Sequence, residues 1–132
     1  MKLDSFDCWV TIRFLNERYL MKKVIIFGAG GMAGHLISEY FQSLNKYQIF
    51  KTYRKPSRDA NSTAVDIENL IDLNRFLYSE NAKADVIINC IGLLVNESLE
   101  QPHKAIIINS WFPKYLEMFY KNANTKIIHI ST

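Results

Sequence analysis

The chain has 132 residues, of which 48% are hydrophobic and 22% charged, and this length and composition are typical of one ordinary folded domain rather than of a disordered segment. Its net charge is +3, from 16 basic and 13 acidic residues, and no run of like charges indicates a nucleic-acid surface or a polybasic membrane patch. The two cysteines and three histidines are too scattered to predict a disulfide framework or a metal site.

The first 20 residues read MKLDSFDCWVTIRFLNERYL. Charged side chains interrupt every apolar run in this segment, so we expect neither a signal peptide nor a membrane span, and a cytoplasmic location with no membrane partner. Two interpretations of residues 1–20 stay open. They form an extension from an upstream translation start, or an extra element that packs Trp9, Ile12 and Phe14 on the rest of the domain.

From residue 21 onward, short apolar runs alternate with longer segments of helical period. This alternation predicts an α/β fold built from βαβ units, with a parallel sheet of about five strands and helices on both faces. The predicted strands are Lys23–Phe27, Gln48–Tyr53, Thr63–Val65, Asp85–Cys90 and Lys126–Ile130. The predicted helices are Met32–Leu44, Glu68–Tyr78 and Gln101–Tyr120, and Pro113 should kink or divide the last of them.

Each of the first two helices carries one apolar stripe that we expect to cover the sheet. The stripe of the first helix consists of Met32, Leu36, Ile37, Tyr40 and Phe41. The stripe of the second consists of Leu70, Ile71, Leu73, Phe76 and Leu77. The segment Lys55–Asn61 is predicted to be a loop, since it has no room for a full helix between the second and third strands.

The motif VIIFGAGGMAGH joins the first strand to the first helix. Three glycines at three-residue intervals suit a tight turn, a close approach of backbone N–H groups to a pyrophosphate, and a close helix–strand contact, in that order. Because the glycines follow an apolar strand and open a helix within a βαβ unit, they predict a dinucleotide site. The predicted cofactor-binding residues of this loop are Gly28, Gly30, Gly31, Met32 and Gly34.

The end of the second strand reads KTYRKPSR and carries no acid. A carboxylate at this position usually binds the ribose of NAD, whereas an arginine accommodates the 2′-phosphate of NADP. Arg54 and Arg58 therefore favour NADP, with NAD as the alternative, because a guanidinium grips a phosphate in a bidentate way. The other interpretation is that Arg54, Lys55 and Arg58 are solvated loop cations. Asp66 either accepts from the adenine amino group or caps the following helix.

The fourth strand ends in NCIG, which should open at the carboxyl edge of the sheet, where ligands bind in such folds. We therefore add Asn89, Cys90, Ile91 and Gly92 to the predicted cofactor-binding residues. Asn109 and Ser110 interrupt the apolar run AIIINSW. They either tie the third helix to the neighbouring strand or are buried polar residues with satisfied hydrogen bonds.

The chain resembles the extended short-chain dehydrogenase/reductases in GAGGMAG after the first strand, VDI at 65–67, DVIINCIG at 85–92, IIINS at 106–110 and IIHIST at 127–132. Within them, residues 21–132 are most similar to the N-terminal, cofactor-binding half of the dTDP-4-dehydrorhamnose reductase group of nucleotide-sugar reductases. The resemblance implies a Rossmann-like, doubly wound sheet whose C-terminal part is missing. It also implies hydride transfer from NADPH or NADH to a keto carbon of a nucleotide-linked sugar.

The same resemblance implies a catalytic tyrosine, a lysine four residues later on one helix, and a serine or threonine after the fifth strand. Thr132 is the best match for the hydroxyl residue and Ser131 the second. Two Tyr-x-x-x-Lys matches exist, Tyr19 with Lys23 and Tyr47 with Lys51. Both run into predicted strands, where four residues span about 13 Å instead of the roughly 6 Å between helical turns. We therefore expect the chain to bind a dinucleotide but to lack the catalytic tyrosine and lysine.

Other functions stay open at this point. A nucleotide-sugar substrate is expected only if a C-terminal half completes the site. The alternatives are a non-catalytic NADP-binding or redox-sensing module, a fragment of a nucleotide-sugar epimerase or dehydratase, and a decayed reading frame. The unpaired edge of the last strand also predicts association with another chain or segment.

Overall fold

The computed structural model describes residues 11, 13 and 20–131. Its five strands, β1 to β5 in chain order, are Lys22–Phe27, Tyr47–Tyr53, Ser62–Ala64, Val86–Asn89 and Lys126–His129. They form one sheet in the order β3-β2-β1-β4-β5, and every neighbouring pair is parallel. The predicted five-stranded parallel sheet is confirmed, and each strand boundary lies within one residue of its predicted place.

The central strand β1 organises the core on both faces of the sheet. Its residues Val24, Ile25, Ile26 and Phe27 are at most 1% exposed. Ile25 and Phe27 belong to the larger core cluster, whereas Val24 and Ile26 belong to the smaller one. This alternation shows why the strand is apolar without interruption, since a parallel strand with helices on both sides has no face left for water.

Within residues 21–131, five α-helices follow the strands, and we number them α1 to α5. They are Met32–Ser43, Leu70–Leu77, Val95–Glu100, Pro102–Ala105 and Phe112–Phe119, and a π-helical segment, Ile106–Trp111, joins α4 to α5. The sequence did not predict α3. The last predicted helix changes from π-helical to α-helical just before Pro113, the residue at which a kink or division is predicted. There the Phe112 N–H donates to the Ile107 carbonyl, five residues back, and proline has no N–H with which to continue an α-helical ladder.

The prediction that one stripe of α1 covers the sheet is wrong for three of its five residues. Met32, Leu36 and Tyr40 are 85%, 60% and 61% exposed. The buried residues of this helix are instead Gly34 and Ser38, because these small residues let the helix axis come close to the sheet. Of the predicted stripe, Ile37 and Phe41 do pack against the smaller core cluster.

The second helix starts later than predicted, and part of its stripe is wrong as well. The Asn69 side chain caps α2 by accepting from the backbone N–H groups of residues 71 and 72, so the helix begins at Leu70 instead of Glu68. Leu70 and Ile71 lie in the first turn and are 50% and 74% exposed. The rest of the stripe is buried, namely Leu73, Phe76 and Leu77.

Within residues 20–131, no helix has both the length and the apolar character that crossing a membrane requires.

Candidate functional site

A tight turn connects β1 to α1 at the carboxyl edge of the sheet. Gly28 has a positive φ of 78°, which side chains rarely allow, and a Cβ there would lie 2.8 Å from Cγ1 of Ile91. The Gly31 N–H donates to the Gly28 carbonyl at 3.1 Å, and the His35 N–H donates to the Gly31 carbonyl at 2.9 Å. The chain therefore passes from strand to helix through a backbone turn that only glycine can open.

The N-terminus of α1 has no side-chain partner. Gly31 is the N-cap residue, it provides no capping hydrogen bond, and the first turn contains no acid. The first N–H groups of a helix have no partner within the helix, and the helix dipole adds a partial positive charge at this end. Such a terminus favours an anionic group, above all a phosphate.

Gly31 and Gly34 differ in what the fold itself requires. A Cβ on Gly31 would meet only the Gly28 carbonyl oxygen, at an ordinary 3.6 Å, whereas a Cβ on Gly34 would lie 2.8 Å from the Gly28 carbonyl carbon and 2.9 Å from Ala29 Cα. Gly34 is therefore needed for the close contact between α1 and the turn below it. At Gly31 the fold leaves room for a Cβ, and this residue faces a cavity.

A cavity of about 720 Å³ lies beside the turn, and this volume is in the range of ligand sites. Its walls are the glycine turn, residues 52–57 at the end of β2 and beyond it, residues 65–68 after β3, residues 90–93 after β4, and residues between α3 and the π-helical segment. Eight predicted cofactor-binding residues line it, namely Gly28, Gly30, Gly31, Arg54, Asp66, Cys90, Ile91 and Gly92.

The other four predicted residues do not line the cavity. The Met32 side chain is 85% exposed, because its position at the start of α1 turns it towards solvent. Gly34 lies under the turn and Arg58 is on the exposed part of the loop. Asn89 is fully buried below the cavity.

Arg54 lies at the wall of the cavity, but it is not a free cation. Its Nη2 donates to Oε2 of Glu68 at 3.1 Å, and Lys104 Nζ lies 3.5 Å from the same oxygen. The sequence points to Arg54 but not to Glu68 or Lys104, because the three residues come from three separate segments and no local spacing connects them.

Asp66 does not cap α2, since Asn69 has that role. The Asp66 carboxylate instead accepts from the Glu68 N–H at 3.0 Å, and its own N–H donates to Asp72 Oδ2 at 2.7 Å. These bonds hold residues 66–68 in a fixed turn at the cavity wall.

Two asparagines fix the segment that follows β4. Asn89 Oδ1 accepts from the Ile91 N–H at 3.0 Å, and its Nδ2 pairs with Nδ1 of His129 on β5 at 3.0 Å. Asn109, on the π-helical segment, accepts from the N–H and donates to the carbonyl of Leu93, at 2.8 and 3.0 Å. Both asparagines are thus satisfied polar residues, and Asn109 also ties its helix to the cavity wall.

A second charged group anchors the loop after β2. Lys51 is only 8% exposed and forms an ion pair with Asp59, and the Tyr53 hydroxyl donates to the same carboxylate at 3.3 Å. The hydrogen bond from Lys51 lowers the pKa of Asp59 below its ordinary value. The Tyr53 ring also lies 3.4 Å from the place of a Cβ on Gly30, so this anchor connects the loop to the glycine turn.

Cys90 is the cysteine that lines the cavity. Burial raises the pKa of the Cys90 thiol above its ordinary value, which disfavours a thiolate at this wall. Ser131 is exposed beyond β5, and Thr132 lies outside the described residues. Of the two Tyr-x-x-x-Lys matches, Tyr47 and Lys51 share β2, and Tyr19 lies outside the described part.

The glycine turn, the uncapped helix and the cavity at the carboxyl edge agree with the family comparison. The chain belongs to the NAD dependent epimerase/dehydratase family, whose model matches residues 24–132. This confirms the resemblance to the extended short-chain dehydrogenase/reductases.

Individual proteins give a finer comparison. The chain is 26% identical over 114 residues to dTDP-4-dehydrorhamnose reductase from Mycolicibacterium smegmatis, a match that covers 86% of this chain and 31% of that protein. The fold is similar to L-threonine dehydrogenase from Phytophthora infestans, with a TM-score of 0.67 and 18% identity over 81% of this chain and 35% of the other. It is also similar to ligand-free aldohexose dehydrogenase from Thermoplasma acidophilum, with a TM-score of 0.65 and 19% identity over 87% and 51%. The chain spans about a third of the length of the curated relative it matches.

Proposed function

We propose that this chain is the dinucleotide-binding part of an oxidoreductase that transfers hydride between a nicotinamide cofactor and a nucleotide-linked sugar. The observation that carries the proposal is the uncapped N-terminus of α1, which lies over a glycine turn and beside a cavity large enough for a nucleotide. The family's NAD dependence supports the cofactor class. The similarity to dTDP-4-dehydrorhamnose reductase supports the substrate class.

In this proposal the pyrophosphate binds over Gly28–Gly31, where the free N–H groups of α1 would donate to its oxygens. The adenosine half then occupies the cavity between Arg54 and the segment 90–93. Arg54 would bind the 2′-phosphate, so NADP stays our predicted cofactor, and NAD would use the same turn. The hydrogen bonds of Asn89 and Asn109 would keep the 90–93 wall in place while the ligand binds.

The chemistry of this site comes from the bound cofactor, which supplies the hydride. The residues of this chain bind and orient it. Tyr47 and Lys51 do not act as a proton donor and its partner, because they share a strand and Lys51 is paired with Asp59. A hydroxyl at Ser131 or Thr132 remains our prediction for the group that hydrogen-bonds the substrate carbonyl, and a nucleotide sugar would bind only with a further C-terminal part present.

A fluorescence titration with NADPH and with NADH tests the proposal on the wild-type chain and a Gly31→Val variant. The fold leaves room for a Cβ at Gly31, since the nearest atom would be at 3.6 Å, and the methyl groups of valine would fill the space proposed for the pyrophosphate. We expect both cofactors to bind at least about tenfold more weakly to the variant, since the phosphate loses its charge-assisted hydrogen bonds.

Gln42→Val is the matched control, because it adds the same side chain at an exposed position near the other end of the same helix. It should bind like the wild type, and circular dichroism should show all three chains folded. Wild-type affinity in a folded Gly31→Val variant would contradict the placement of the pyrophosphate.

A further inference from the structure

Three charged side chains meet at one wall of the cavity. Arg54 follows β2, Glu68 lies between β3 and α2, and Lys104 belongs to α4. Oε2 of Glu68 is 3.1 Å from Nη2 of Arg54 and 3.5 Å from Nζ of Lys104. One carboxylate therefore contacts two cations that come from separate segments of the chain.

The three side chains differ in exposure, and this difference indicates which of them moves. The side chains of Glu68 and Lys104 are 26% and 19% exposed, whereas that of Arg54 is 64% exposed. The backbone of Glu68 is also held, because its N–H donates to Asp66. Glu68 is thus the fixed member of the group, and Arg54 is the member that is free to turn to a ligand.

Glu68 binds the guanidinium of Arg54, which a 2′-phosphate would need as its partner. A guanidinium that donates to a carboxylate has fewer N–H groups left for a phosphate. The carboxylate also places a negative charge within a few ångströms of any phosphate that binds the same guanidinium. A phosphate monoester carries nearly two negative charges at pH 7. The ribose hydroxyls of NADH carry none, so the same carboxylate costs NADH much less.

We propose that Glu68 is a specificity-determining residue that holds Arg54 away from the 2′-phosphate and so reduces the preference for NADPH over NADH. The proposal rests on the dinucleotide site proposed above and adds a residue that works against the cation at the end of β2. Lys104 remains as a second partner for Glu68 when Arg54 turns to the phosphate. The chain therefore binds both cofactors, with a preference for NADPH much smaller than Arg54 alone would give.

The test compares dissociation constants for NADPH and NADH in the wild-type chain and in Glu68→Gln, at one fixed salt concentration. The variant keeps the shape of the side chain and removes its charge. We expect the ratio of the NADH constant to the NADPH constant to rise by about tenfold, mainly through tighter NADPH binding, as expected when a competing charge-assisted bond is removed. The double variant Arg54→Gln with Glu68→Gln should lose this gain.

Glu97→Gln is the matched control. Glu97 also lines the cavity, and its substitution removes the same charge, but its carboxylate contacts the Leu94 N–H and not Arg54. Its ratio should change by far less than that of Glu68→Gln. An equal change in both variants would mean that only the net charge of the cavity matters, which overturns the proposal.

Two further outcomes overturn it. Weaker NADH binding with unchanged NADPH binding in Glu68→Gln would mean that Glu68 accepts from the ribose hydroxyls instead of masking Arg54. An unchanged ratio in a folded variant would mean that Arg54 and Glu68 do not contact this part of the cofactor. Failure of the proposed function gives a different result. In that case the wild-type chain binds neither cofactor, and the proposal for Glu68 fails with it.

Discussion

Replacing Gly34 with alanine should destabilise the chain, although the same change stabilises most helices. In the wild type, a Cβ at this position would lie 2.8 Å from the Gly28 carbonyl carbon and 2.9 Å from Ala29 Cα, and closer still to the Gly28 carbonyl oxygen. Carbon atoms pack at about 3.5–4.0 Å. The turn and α1 would therefore have to separate. This movement is costly because backbone hydrogen bonds hold both segments in place.

The expected loss follows from two opposing terms. Overpacking a rigid contact costs about 1–3 kcal/mol, and the upper end applies here because no flexible side chain can give way. Alanine returns about 1 kcal/mol through its higher helix propensity. The free energy of unfolding should thus fall by about 2 kcal/mol, measured by urea unfolding followed by far-ultraviolet circular dichroism.

Gly31→Ala is the control, since its Cβ has no neighbour closer than 3.6 Å and its φ of −79° is ordinary for any residue. Its unfolding free energy should stay within about 0.5 kcal/mol of the wild type. A Gly34→Ala variant that is more stable than the wild type would refute the close contact between α1 and the turn.

Two other predictions concern buried groups and pH. Asp59→Asn leaves the buried Lys51 without its carboxylate and should cost about 2 kcal/mol, less than a fully buried pair would because Asp59 is partly exposed. Since the folded-state pKa of Asp59 is lowered, its stabilisation is present above the unfolded pKa, near 3.8, and is lost as the pH falls further. Acid unfolding of Asp59→Asn should therefore show a smaller loss of stability below pH 4 than the wild type. Burial raises the pKa of Tyr120 to about 12, so its contribution to stability is complete below pH 10 and declines as the pH rises towards 12. The Tyr120→Phe variant leaves the Ala82 carbonyl without its donor. Ultraviolet titration of this variant should lack the tyrosine that ionises last in the wild type.

The strands and the glycine turn were predictable because their signals are local. Val24 to Phe27 form an unbroken apolar run, and a strand buried on both faces needs nothing else to be recognised. Gly28 follows at once and takes the positive φ that the turn requires. In such segments the physical cause and the sequence pattern lie within a few residues of each other.

The buried face of α1 was not predicted, because apolar periodicity indicates a stripe without saying how close the helix comes. By their spacing alone, the large side chains Met32, Leu36 and Tyr40 form an apolar stripe typical of a buried helix face. Gly34 and Ser38 are buried instead. The turn below Gly34 leaves no room for a Cβ, and the Ser38 hydroxyl donates to the Gly34 carbonyl at 2.6 Å. The pair of small residues four positions apart was the available signal.

The charged groups of the site could not be predicted from local patterns. Glu68 and Arg54 are brought together by the pairing of β2 with β3, and Asp59 reaches Lys51 only because the loop folds back along β2. The sequence shows cations after the second strand, and it does not show which acids will neutralise them. The prediction that Arg54 binds a phosphate was therefore made without its partners Glu68 and Lys104, which only the folded chain reveals.

The order of the strands has a consequence for how the chain is made. Val24 pairs with Ile49 on one side and with Val86 on the other, and every connection is a crossover, so no hairpin can form first and shelter β1. About 60 residues must be synthesised after β1 before β4 is complete, which takes several seconds at roughly 5–20 residues per second. During that time the apolar strand β1 lacks at least one of its two neighbouring strands, and the emerging chain is then more exposed to aggregation than the finished fold.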